Sequence, residues 1–141
     1  MATTSTDKLH ARGVLDSQKA TDDGKHLIVL SIPETSYELH LVSLQALETA
    51  IGKRAIGTIR VQARRMDSVE TGGRYVEPVY GRPRRVQGRV IAIEPASNAI
   101  TVDAGVPIEC RLNKHQKASD FAEGDFVSGD VLPGATFAPV V

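Results

Sequence analysis

The chain has no tryptophan, and three Tyr and three Phe are its only aromatic residues among 141. A core without large rings has to be built from Val, Ile, Leu and Ala, side chains that suit the pleated surface of strands. Cysteine is almost missing: Cys110 stands alone, which excludes an intramolecular disulfide and a zinc site made of cysteines. No apolar run is long enough to cross a bilayer as a helix. The opening residues MATTSTDKLHARG lack the hydrophobic stretch of a secretory signal. The expectation is a soluble, cytoplasmic protein with no membrane partner.

Catalytic signatures are missing too. There is no GxxxxGK(S/T) phosphate loop, no GxGxxG after a strand, no GxSxG elbow and no HExxH. His10, His26, His40 and His115 are scattered. In YELHLV, Tyr37, Leu39 and Leu41 share one face, so His40 is expected to point with Glu38 into solvent. Cys110 alternates with Ile108 and Leu112 and reads as a small core residue, with Arg111 on the opposite face. These readings predict a non-enzymatic protein without metal or cofactor.

What is present is 41% hydrophobic residues, enough for a core, and a length that suits one domain or two very small ones. Net charge is zero but uneven. Residues 1–51 hold four Lys/Arg against seven Asp/Glu, residues 52–90 hold ten against three, and residues 91–141 hold three against seven. A basic middle of +7 therefore sits between acidic flanks of −3 and −4.

Internal similarity organises the rest. GKRAIGTI (52–59) parallels GDFVSGDV (124–131), with glycine at the first and sixth positions of each. Upstream, YELHL (37–41) parallels IECRL (108–112), HLIVLSI (26–32) parallels AITVDAG (99–105), and ARGVLDS (11–17) parallels QGRVIAIEP (87–95). Each unit reads strand, turn, strand, turn, strand, short helix, glycine, strand. SLQALETAIG predicts the first helix, with Ser43 as N-cap, Leu44, Leu47 and Ile51 on one face and Gly52 at the C-terminal cap. Asn113 and Phe121 predict the second in the same way, with Gly124 just beyond its end. The chain divides into a disordered start (1–8), unit one (9–66), an Arg/Tyr-rich arm or hairpin (67–85) and unit two (86–141). Pro78 and Pro83 confine the arm to an edge or a loop.

One strand is nearly written twice: RVQAR at 60–64 and RVQGR at 85–89, flanked by Arg65 and Arg84. Alternation puts Ile59, Val61 and Ala63 on one face and Arg60, Gln62 and Arg64 on the other; Arg85, Gln87 and Arg89 likewise oppose Val86, Gly88 and Val90. If the two stretches are neighbouring strands, four arginines and two glutamines share a surface. Like charges across a ladder are unfavourable, so such a cluster calls for something anionic. Three classes fit. The first is single-stranded nucleic acid, with Tyr75 and Tyr80 stacking bases while Arg74, Arg82, Arg84 and Arg85 meet phosphates. The second, preferred here, is carboxylates of the protein's own acidic flanks or of a sister subunit, which Arg pairs well; the protein is then an assembly or protein-interaction module and a homo-oligomer. The third is a small oxyanion. The residues expected to meet the partner are Arg60, Arg64, Arg65, Arg74, Tyr75, Tyr80, Arg82, Arg84, Arg85 and Arg89.

The run GRVIAIEPASNAITVDAG, then ECRL, then EGDFVSGDV resembles an OB-fold, a small five-stranded Greek-key barrel. The resemblance implies an all-β protein with two short helices, made of two small OB-like units packed together. Units this short are expected to share a core and exchange a terminal strand. AIGKRAIGTIRVQARRMDSV is similar to the closing segment of molybdate-binding OB domains, with Ser68 and Val69 in the place of their Ser-Val pair, although RRVQGRV replaces the SxRN-like opening. The GxVxxI(D/E)…NxITV pattern is similar to periplasmic copper-efflux OB proteins, but their Trp and Met ligands have no counterpart here, where the two Met are Met1 and Met66.

Overall fold

The computed structural model describes residues 8–70 and 72–140. Of the disordered start expected over 1–8, all but Lys8 lies outside them. In chain order the strands are β1 (Ala11–Ala20), β2 (His26–Ser31), β3 (Glu38–Ser43) and the long β4 (Arg54–Ser68). Two short ones follow, β5 (Tyr75–Glu77) and β6 (Tyr80–Gly81). Then come β7 (Arg85–Glu94), β8 (Ala99–Asp103), β9 (Pro107–Arg111), β10 (Phe126–Val131) and β11 (Thr136–Pro139). Period-two patterning holds where it was read: Leu39 and Leu41 of β3 and Ile59, Val61 and Ala63 of β4 are all buried. No helix of the described residues is long and apolar enough to cross a membrane.

The pairings close two hydrogen-bonded circuits. The first runs β1-β2-β3-β11-β4 and back to β1; the second runs β7-β8-β9-β4-β10 and back to β7. Strand β4 belongs to both. Its first part lies against β1 and β11, its second against β9 and β10. Strand β11 returns from beyond the second circuit to complete the first, antiparallel to β4 and parallel to β3. The second circuit is completed by β4 in the same sense, antiparallel to β10 and parallel to β9.

The two circuits agree in detail. Each breaks register once in its first hairpin, between Leu15 and Ser17 and between Val90 and Ala92. The first glycine of each GxxxxG repeat turns at positive φ and donates its N–H to the residue before that bulge, Gly52 to the Leu15 carbonyl at 2.7 Å and Gly124 to the Val90 carbonyl at 2.8 Å. The sixth glycine of each lies under the strand that completes the circuit. A Cβ on Gly57 would stand 2.3 Å from the Ala138 carbonyl oxygen, and one on Gly129 would stand 2.1 Å from that of Arg65. The spacing seen in the sequence is thus one turn plus one close crossing, used twice.

Both short helices expected from the sequence are absent; a 3₁₀ turn at Ala118–Asp120 takes up a little of the second, and another at Pro95–Ser97 lies in the β7–β8 connection. Residues 44–50 form no helix because the proposed apolar face does not face inward: Leu47 is buried, but Leu44 is 70% and Ile51 58% exposed. A single anchor cannot support so short a helix. Side-chain amides hold the backbone instead. Gln18 accepts the Leu47 N–H at 2.7 Å and donates to its carbonyl at 3.3 Å. Gln116, in the loop meant for the second helix, grips Met66 in the same two-handed way at 3.0 and 2.7 Å. Asn113 caps no helix; its side chain reaches the Arg64 carbonyl and accepts the His115 N–H.

One continuous core runs through both circuits. Tyr37 ties it together: its buried hydroxyl donates to the Ala104 carbonyl at 2.9 Å and accepts the Val76 N–H at 3.0 Å, joining the start of β3, the β8–β9 turn and β5. Tyr37→Phe leaves a buried N–H and a carbonyl without partners. We expect it to cost about 1–3 kcal/mol in urea unfolding at an unchanged m-value; an unchanged midpoint would show that water replaces the hydroxyl.

Candidate anion-binding cleft

The repeated arginine stretches are not neighbours. Strand β10 lies between β4 and β7, so Asp130 faces Arg65 on one side and Arg85 on the other. An acidic strand is therefore threaded between the two basic ones, and the expected wall of four arginines and two glutamines does not form. Gln87 leaves that surface altogether. Strand β5 covers it, its amide accepting from the Tyr75 hydroxyl at 3.0 Å and donating to the Gly73 carbonyl at 2.8 Å.

Four of the eight proposed arginines end on carboxylates of this same chain. Arg60 of β4 forks onto Glu109 of β9, Nε at 2.5 Å and a terminal nitrogen at 3.3 Å. Arg74 reaches Asp103 at 2.8 Å, Arg65 reaches Asp67 at 2.7 Å, and Arg85 reaches Asp130 at 2.7 Å. Arg85 also donates to the Ser128 hydroxyl at 2.8 Å, and the Tyr75 hydroxyl together with Asp130 holds its guanidinium above the usual arginine range. Arg89 donates to the Gly124 carbonyl at 2.8 Å and lies over the Phe126 ring. Each exposed pair adds less than about 1 kcal/mol; their effect is to fix where charge stands.

Of the tyrosines, Tyr75 is half-buried with its hydroxyl engaged, and only Tyr80, 63% exposed, is a free aromatic surface. Tyr80 packs edge-on against His40, at 4.8 Å between ring centres. His40 therefore does not stand in solvent as the alternation suggested. Strand β6 pairs with β3 and carries Tyr80 over it, leaving the His40 Nε2 buried without a partner.

What remains is a cleft of about 440 Å³ where the end of the first arginine stretch meets the start of the second. Arg64, Arg84 and Arg85 line it, with Glu77, Asp130 and Pro78. Arg64 gets there because the β4–β10 register shifts beside it, turning both Arg64 and Arg65 outward. Arg84 is held by its backbone, N–H to the Glu77 carbonyl and carbonyl to the Val131 N–H. Among the described residues, Arg85 has its carboxylate while Arg64 and Arg84 have none. Arg82 stands apart, lining a smaller groove of about 80 Å³ beside His40. The two aspartates of GDFVSGDV were visible in the sequence; that this segment separates the arginine strands was not.

Cys110 is fully buried, as its alternation indicated. Burial pushes its thiol from 9.0 up to about 12, with the Glu109 charge acting in the same direction. The folded state keeps the thiol neutral while the unfolded chain ionises above its ordinary value. The linked stability is therefore whole below pH 9 and is lost as pH rises from 9 through about 12. Over that window the urea midpoint of the parent should fall more steeply than that of Cys110→Ala, and parallel slopes would contradict the burial argument. No group of three or more His, Cys, Asp or Glu that could hold a metal ion occurs among the described residues.

Comparison of the chain with protein-family models, with curated proteins and with solved structures finds no match.

Proposed function

We propose that the protein is a non-enzymatic interaction module in which two OB-like barrels, completed by each other's strands, present the Arg64–Arg84–Arg85 cleft to a carboxylate-bearing protein surface, a second copy of this chain being the first partner to test. The OB-like reading is supported by the strand orders β4-β1-β2-β3 and β10-β7-β8-β9, each a Greek key, and by closure through a fifth strand in both circuits. The observation that carries the functional reading is that two of the three cleft arginines, Arg64 at the end of the first stretch and Arg84 flanking the second, have no carboxylate of their own among the described residues. Glu77 and Asp130 in the same lining make the cleft mixed in sign. That suits a protein surface bearing both charges better than a uniformly anionic strand, and Tyr75, engaged with Gln87, is not available to stack on a base.

The test is light scattering behind a sizing column for the parent and Arg64→Glu/Arg84→Glu, at roughly 50 and 500 mM salt, conditions that bracket strong and weak screening. The parent should run as more than one chain at low salt, and the variant as a single chain. A parent that is monomeric in both buffers, or a variant of unchanged mass, rules the reading out. Co-elution of the parent with a short single-stranded oligonucleotide, lost at high salt, would assign the arginines to phosphates instead.

A further inference from the structure

A second cleft, of about 370 Å³, lies where the first circuit meets the β8–β9 turn, and it differs from the first in having no carboxylate in its lining. Its polar wall is Lys8, His10, Arg12 and Arg54. Arg12 and Arg54 are diagonal neighbours on the outer face of β1 and β4, since Arg12 pairs with Ile56 and Arg54 with Val14. None of the four forms an ion pair among the described residues. Guanidinium groups held side by side with no acid between them repel, a cost that a bound anion would remove. The rest of the lining is apolar apart from Gly105: Ile32 and Pro33 just after β2, Val106 and Pro107 from the β8–β9 turn. That turn is built rather than loose. Gly105 takes a φ of +96° and donates its N–H to Asp103 at 3.0 Å, and a Cβ on it would press on the Tyr37 ring.

We propose that this cleft is a binding site for a small organic phosphate, a phosphomonoester with a compact apolar body. The charge count favours phosphate over carboxylate. Three permanent cations and an imidazole exceed what one carboxylate balances, whereas a phosphomonoester brings nearly two charges and three acceptor oxygens, matched by two arginine forks. The apolar wall has no use for inorganic phosphate and selects an ester carrying a ring or branched chain. The volume lies near the lower end for small-molecule sites, which limits that body to about one ring.

None of this depends on the Arg64–Arg84 cleft, and the experiment separates the two. Calorimetric titration of the whole chain with phenyl phosphate should give one saturable site, tighter than for inorganic phosphate. Arg12→Gln and Arg54→Gln should each weaken it by about tenfold or more. Arg64→Glu/Arg84→Glu should leave it unchanged. Where Arg54→Gln lowers the melting midpoint, the exposed Lys8→Gln carries the same test, with a severalfold loss expected. The proposal fails if phenyl phosphate binds no tighter than inorganic phosphate. It fails equally if folded Gln variants bind as the parent does, or if the Arg64/Arg84 pair abolishes binding.

Discussion

Gly129→Val is expected to destabilise the protein by about 3 kcal/mol or more, at or above the usual cost of overpacking. The added Cβ would lie 2.1 Å from the Arg65 carbonyl oxygen and 2.6 Å from the Met66 sulfur. A methionine side chain can move; a carbonyl in a paired strand cannot. Gly129 sits between Met66 on β4 and Val86 on β7, so its own strand has no free edge toward which to shift. Gly57, the matching position in the first circuit, should behave alike, because its Cβ would meet the Ala138 carbonyl at 2.3 Å and the Phe137 ring at 2.7 Å. Gly73 is the control. It has open space around it, and Gly73→Ala should stay within about 0.5 kcal/mol of the parent. Urea unfolding followed by circular dichroism reads all three. Equal midpoints for Gly129→Val and Gly73→Ala would mean that the crossing strands are not held where the structure has them.

The second large effect concerns β11. Phe137 is 1% exposed and is the largest side chain that this strand puts into the core, opposite Ile59 on β4. Phe137→Ala should cost about 3–5 kcal/mol, the usual range for removing a buried phenyl ring. Its consequence should also be local. Strand β11 spans four residues and is the piece that closes the first circuit, so weakening its anchor favours release of that strand before global unfolding. Two amides report on it: Val42 donates to the Ala135 carbonyl and Val140 donates to that of Ile56, at 2.9 Å each. In Phe137→Ala, both should exchange with solvent faster than the Gly124 amide, which bonds Val90 inside the second circuit. Uniform acceleration of all three would show that the two circuits open together.

Much of the fold was written locally. Alternation over YELHLV, TIRVQA and IECRL identified strands and their buried faces, Cys110 included, because the pleat sends successive side chains to opposite sides whatever strand lies next door. The two glycines of each GxxxxG stretch likewise marked a turn and a crossing that each copy needs. Other local readings failed where a local pattern has two outcomes. Ser43, Leu44, Leu47 and Ile51 fit a helix by spacing, yet only Leu47 finds core beneath it, and Gln18 on β1 grips its backbone instead. The echo of RVQAR in RVQGR falls on β4 and β7, which hold different places in the two circuits, and its meaning depended on which strands adjoin.

That adjacency is set by long-range pairing. Placing β10 between β4 and β7 put Asp130 beside Arg65 and Arg85, so a reading of clustered arginines became one in which half of them meet carboxylates of this chain and Arg64 and Arg84 line a cleft without one. Lys8, His10, Arg12 and Arg54 carried no common signal, being spread over 47 positions of the chain; β1 lying against β4 and the β8–β9 turn folding down beside them made a cleft. By itself the sequence determined which residues form strands and which of their faces are apolar, since those depend on period-two patterning and turn chemistry over a few residues. Only the tertiary structure decided which charges neutralise one another and which stay free, because a charge is answered by its neighbours in space, and here those come from the far end of the chain.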